Sequence, residues 1–114
     1  MSDNEGVTLL EPVVTTRPKR DEKTKKLPPY HVVLHNDDDH SFDYVILMLQ
    51  QLFGHPPERG YQMAVEVHTR GRVIVDTTSK ERAELKRDQI HAHGPDPRIT
   101  RCQGSMSASI EPAE

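Results

Sequence analysis

Apolar and polar positions in this chain fall into short blocks whose spacing changes several times, and each change marks a new element. Tyr30 to His35 is β-branched at its centre, with Val32, Val33 and Leu34 in a row, and runs into a turn; it reads as a strand. From Phe42 the apolar residues Val45, Ile46, Leu49, Leu52 and Phe53 recur at three- and four-residue steps, one stripe of an amphipathic helix. Ser41 is its N-cap, and Asp43 suits the positive end of its dipole. Gly54-His55-Pro56 breaks the pattern, and Pro57 opens a second helix running to about Thr69. Two helices on so short a link lie antiparallel, which brings Val67 and His68 beside the start of the first helix. Gly71 stops the second helix and Arg72 to Asp76 reads as a strand. Thr78 or Ser79 caps a third helix, Lys80 to about His91, whose only apolar residues are Ala83, Leu85 and Ile90. Most of that helix faces water or a partner. After a Gly/Pro-bearing loop, His93 to Gly104, Met106 to Ile110 alternates as a third strand that Pro112 closes. The expected fold is α+β, a small β-α-α-β-α-β sandwich with a three-stranded sheet covered by helices.

Composition limits what this fold can do. Of 114 residues, 33% are hydrophobic, with no Trp and two Phe, so the core is small and offers little room for a deep cleft. Residues 1–27 carry Pro12, Pro18 and charges of both signs without periodicity, and read as a disordered arm ahead of a domain at 28–114. The basic run from Arg17 to Lys26 has no interleaved aromatic to stack on bases, and the net charge of -3 argues against a nucleic-acid partner. No apolar run approaches the ~20 residues that cross a bilayer, and Met1 to Gly6 is unlike a signal peptide. A cytoplasmic location and no membrane partner are expected. The single cysteine, Cys102, allows neither an intramolecular disulfide nor a Cys-x-x-Cys motif.

The candidate chemistry lies between the first strand and the first helix. Asn36, Asp37, Asp38 and Asp39 put four hydrogen-bond acceptors in a row, which suits a metal ion, a basic side chain or a free α-amine. Taken alone, such a loop is more often a solvated turn, and a helix-end His68 is more often a partner of the dipole than a ligand. Calcium fits poorly, because the Gly and Glu of a calcium loop are absent from their positions. His91, His93 and Cys102 supply three zinc-type donors and no fourth, so no metal or other cofactor is expected. The alternative of a metal-dependent hydrolase using Asp37, Asp38, His40 and His68 lacks a nucleophile and a cleft. A ribosome-associated domain of similar fold calls for a more basic, Gly-rich surface.

With that order of elements, four segments resemble the ClpS family of Clp protease adaptors. They are Tyr-x-Val-x-Leu-x-Asn-Asp-Asp (Tyr30 to Asp38), the helix Phe42 to Phe53, Ala-Val-x-Val-His-x-x-Gly (Ala64 to Gly71) and Glu81-x-x-Glu84-x-Lys86. The resemblance implies a monomeric, non-enzymatic adaptor. It binds proteins that begin with a bulky hydrophobic residue, N-degrons, and hands them to the N-terminal domain of a Clp AAA+ ATPase of the ClpA or ClpC kind. It assigns the substrate α-amine to Asn36, Asp38 and His68, with Asp37 completing the loop. The first side chain goes to Phe42, Val45, Ile46, Ala64, Val67 and Met106, and ATPase docking to Glu81, Glu84 and Lys86. The arm would be the flexible element in the handover. Phe42 and Ala64 stand where many members have Met, and Asp39-His40 replaces a commoner aromatic-Thr pair.

Overall fold

The computed structural model describes residues 27–100 and 102–113; the expected arm, apart from Leu27, lies outside them. Six elements follow one another: β1 (Tyr30–His35), α1 (Phe42–Phe53), α2 (Pro57–Arg70), β2 (Arg72–Thr78), α3 (Lys80–His91) and β3 (Ala108–Pro112). The strands form one antiparallel sheet in the order β2-β1-β3, so the most apolar strand is the central one. Val32 and Leu34 of β1 are fully buried and join one core with Met48 and Leu49 of α1, Ala64 and Val67 of α2, and Ala83 and Ile90 of α3. Complete burial of a Leu or Met side chain contributes ~2 to 3 kcal/mol, so this one cluster accounts for most of the domain's cohesion.

Local chemistry sets the element ends. Ser41 and Ser79 cap α1 and α3, their hydroxyls accepting the N–H of Tyr44 (3.2 Å) and Arg82 (3.3 Å). Of the two caps offered for α3, Ser79 is the one used. Gly71 ends α2 at φ 87°, a left-handed conformation in which its N–H reaches back to the Val67 carbonyl.

The sheet differs from expectation in two places. β3 runs from Ala108 to Pro112, so Met106 precedes the strand. The Met106 side chain is drawn into the core, where it is 2% exposed, and regular pairing starts only at Ala108 opposite Leu34. Pro112 belongs to the strand and pairs with Tyr30. The next N–H, from Ala113, donates to the Pro29 carbonyl at 2.9 Å, so by alternation the Pro112 nitrogen faces away from β1, where no donor is needed. β2 extends to Thr78, past the expected Asp76. A shift in register between Val32 and Val33 leaves Val75 as the extra residue of a bulge; Val73 and Val75, two apart, are both buried. The His55 ring, just after α1, hydrogen-bonds the Val75 carbonyl at 2.7 Å.

At Gly60 of α2 the two helices of the hairpin pack closely. A Cβ there would lie 3.3 Å from the backbone Cα of Ile46 on α1. Because the neighbour is main chain, a larger residue must push the helices apart. Gly60→Val is expected to lower unfolding free energy by ~2 kcal/mol or more by chemical denaturation, a cost of overpacking that outweighs any gain in backbone rigidity.

Candidate functional site: the acidic loop at the hairpin end

Residues 36–41 cross the end of the hairpin and are tied down on three sides. On the β2 side, the Asn36 N–H donates to the Gly71 carbonyl at 3.0 Å, so the loop is pinned to the cap of α2. On the β3 side, the His35 N–H donates to the Ser107 carbonyl at 3.0 Å. The third tie is the long loop after α3, where Asp96, 1% exposed, accepts the Ser41 N–H at 2.7 Å.

The antiparallel hairpin brings His68, near the end of α2, against Phe42, the first residue of α1. Their rings meet edge to face at 5.6 Å. Tyr61, two turns earlier on α2, packs on the same ring of Phe42 at 6.0 Å. Asn36, Asp38 and His68 are exposed. Asp37 is turned inward: its carboxylate accepts the Asp39 N–H at 2.9 Å and faces His40 Nδ1 at 2.8 Å. Asp37 therefore shapes the loop from within. Of the six apolar positions expected beside it, Val45, Ala64, Val67 and Met106 are closed to solvent, while Phe42 and Ile46 are half-buried.

The remaining expected residues are more dispersed. Glu81 is exposed and Glu84 half-buried on α3, but Lys86 turns toward α1, where its ammonium donates to the Leu52 carbonyl and lies 5.4 Å over the Phe53 ring. Beside Glu81, an open groove of about 690 Å³ is lined by Leu27, Pro28, Pro29 and Tyr30. His91 bonds the Ala108 backbone, His93 packs edge-on against Tyr44 at 5.3 Å, and Cys102 sits next to His40. These three do not converge, and among the described residues no group of three or more His, Cys, Asp or Glu side chains could hold a metal ion. His40 and His68 of the hydrolase alternative are likewise engaged separately, one on Asp37 and one on Phe42.

Residues 25–97 match the family model of the ATP-dependent Clp protease adaptor protein ClpS. The chain belongs to the ClpS family. The ClpS adapter protein of Synechococcus elongatus is 33% identical over 106 residues, 92% of this chain and 94% of the relative. That of Vibrio cholerae is 44% identical over 71 residues, 60% of this chain and 67% of the relative. The structure of Agrobacterium tumefaciens ClpS2 bound to L-phenylalaninamide shares the fold, with a TM-score of 0.65 at 22% identity, covering 75% of this chain and 96% of that one. The matched family range ends at residue 97, so Cys102 and Met106 lie beyond it. Among the described residues of this ClpS-family chain, no helix is long and apolar enough to cross a membrane.

Asp96 is the residue that the sequence reading overlooked; its only signal is the Pro95-Asp96-Pro97 run. Burial by itself raises its carboxyl, but the N–H groups of Ser41 and Arg98 (2.9 Å) and the Arg98 guanidinium outweigh it and hold the group below the carboxylate's ordinary 3.8. His93 moves down from 6.5, because burial disfavours its charged form. Both shifts make acid unfavourable for the fold. The His93 contribution is full above the ring's ordinary value and declines as pH falls through it toward the lowered one. The Asp96 contribution is full above the ordinary carboxylate value and is lost as pH falls through its lowered one. Thermal midpoints are expected to drop in two stages on acidification, and His93→Gln to flatten the upper stage. Asp96→Ala, which orphans the Ser41 N–H, is expected to cost ~2 to 4 kcal/mol at neutral pH by denaturant titration.

Proposed function

We propose that the chain is an N-degron adaptor: it captures the free α-amine and bulky first side chain of a substrate protein and presents that protein to a Clp AAA+ ATPase. The observation that supports this reading is the edge-to-face contact of His68, near the end of α2, with the half-buried Phe42 at the start of α1, next to the loop of Asn36 and Asp38 that the Asn36 N–H pins to Gly71. An N-terminal ammonium has three donors and a charge, whereas an internal amide has one donor and none. In this reading an Asn carbonyl, a carboxylate and a ring nitrogen receive the ammonium together and so discriminate a chain end from its middle. The bound L-phenylalaninamide of the Agrobacterium neighbour has this chemistry, a free α-amine next to an aromatic side chain, and supports the same reading here.

The first side chain goes to the floor made by Val45, Ala64, Val67 and Met106. Those four are closed to solvent, so admission falls to movement of the half-buried Phe42 or Ile46. Asp37 acts through the loop, by holding His40, and not as a direct ligand. Charge-assisted bonds contribute ~1.5 to 3 kcal/mol each and burial of a Leu or Phe side chain ~2 to 3, against an association cost of ~4 or more. The result is affinity around micromolar, about -8 kcal/mol, which suits a carrier that must release its load. For the ATPase we assign Glu81 and Glu84 with the adjoining groove at Leu27–Tyr30; Lys86 contributes mainly by fixing α3 on α1.

Fluorescence anisotropy with labelled peptides that differ only in a free N-terminal Leu, Phe or Met, plus the Phe peptide acetylated, tests the reading. Tight binding of free Leu or Phe, abolished by acetylation and weakened at least about tenfold in Asp38→Ala, is expected. Equal binding of the acetylated peptide would rule out amine recognition.

A further inference from the structure

Tyr61, Ala64 and His68 follow one another at three- and four-residue steps on α2 and so share one side of that helix. Tyr61 is 54% exposed, whereas Ala64 is fully buried. The Ala64 side chain ends at Cβ, and above it the Phe42 ring reaches the aromatic residue on either hand. It meets Tyr61 at 6.0 Å and His68 at 5.6 Å, with interplanar angles of 71° and 73°. Admission of a first side chain to the floor beneath needs Phe42 or Ile46 to move. Ile46 has the less room: its Cα and Cγ2 would lie 3.3 and 3.5 Å from a Cβ placed on Gly60, so its backbone is packed against α2 itself. Phe42 opens α1 and is half-buried, and the two rings against it belong to exposed residues. Phe42 is therefore the cover that moves, and in moving it leaves two edge-to-face contacts. Such contacts are stabilised by the ring quadrupoles beyond the area they bury. An incoming Phe, Tyr or Trp side chain carries a ring that restores one of them, and a Leu side chain contributes burial alone.

We infer that Tyr61 is a specificity-determining residue, one that makes the site prefer degrons with an aromatic first residue over those that begin with Leu. The inference rests on the degron reading proposed above. Tyr61 acts in two opposed ways. It holds Phe42 in place, which weakens capture of every first residue alike, and it offsets that loss only when the incoming group is a ring. With over half of its surface in water, the Tyr61 side chain turns toward that ring without vacating space in the core. His68 lies on the far side of Phe42, next to the loop that receives the α-amine, so the contact left for the side chain is the one with Tyr61.

Anisotropy titrations of the full-length protein with two labelled peptides, identical except for a free N-terminal Phe or Leu, give the ratio of the two dissociation constants. Loss of folded protein or a general loosening of the hairpin moves both constants together and leaves that ratio alone. The unsubstituted protein is expected to bind the Phe peptide about three- to tenfold more tightly than the Leu peptide, the range that an edge-to-face contact supplies. Tyr61→Leu is expected to bring the two within about twofold of each other, with Leu binding unchanged or tighter, and Tyr61→Phe, which keeps the ring, to retain the preference. Equal binding of both peptides by the unsubstituted protein overturns the assignment, as does a preference that survives Tyr61→Leu or is lost in Tyr61→Phe. Failure to bind either free peptide, or equal binding of the acetylated Phe peptide, overturns the degron reading itself and this assignment with it, so the two failures are told apart.

Discussion

A carboxylate taken out of water costs several kcal/mol unless its oxygens are fully engaged, and Asp96 meets that condition by reaching across to the cap of α1. The backbone of Ser41, which starts the helix, and the backbone of Arg98, which turns the long loop, are held by the same group. Tyr44 adds a second fastening from one turn inside α1, its hydroxyl donating to the Gly94 carbonyl. The loop between α3 and β3 is thus locked onto the first turn of α1. The acidic loop and His40 lie just before this lock in sequence and Cys102 just after it, and His40 and Cys102 touch beside it.

The site is a product of topology more than of any one motif. Phe42 and His68 are far apart in sequence and meet because a short link forces α1 and α2 antiparallel, while the Gly71 carbonyl receives the Asn36 N–H at the junction with β2. Asn36, Asp38 and His68 lie exposed at helix ends and loop turns, so none of these polar groups is buried. The core below can then be wholly apolar, with Ala64 and Val67 facing inward one turn or less from His68.

Much of this was legible in the chain itself. The three-and-four spacing from Phe42 to Phe53, the Pro57 start and the Gly71 stop are local signals, and the elements stand where those signals put them. The boundary of β3 was not legible, because the alternation of Met106 to Ile110 does not reveal that Met106 turns inward before pairing begins. Pro112 was read as a stop because periodicity cannot tell an edge strand, where one side needs no donor, from a central one. The site residues came from family resemblance on top of the helix pairing. Asp96 and the meeting of His40 with Cys102 depend on how a long loop folds back, and no periodicity encodes that. Asp37 illustrates the boundary: its type marked it as an acceptor, and only the position of His40 shows that its oxygens are directed inward.

A three-stranded sheet has two open edges, and both are blunted here. β3 carries Pro112 at its end, and β2 carries a bulge at Val75 whose carbonyl is taken by the His55 ring. An open edge is a template onto which any extended chain can add as a further strand. An extended segment of another molecule therefore meets Pro112 on one edge and an occupied carbonyl on the other, and the sheet is kept from growing by a mispaired strand at either side.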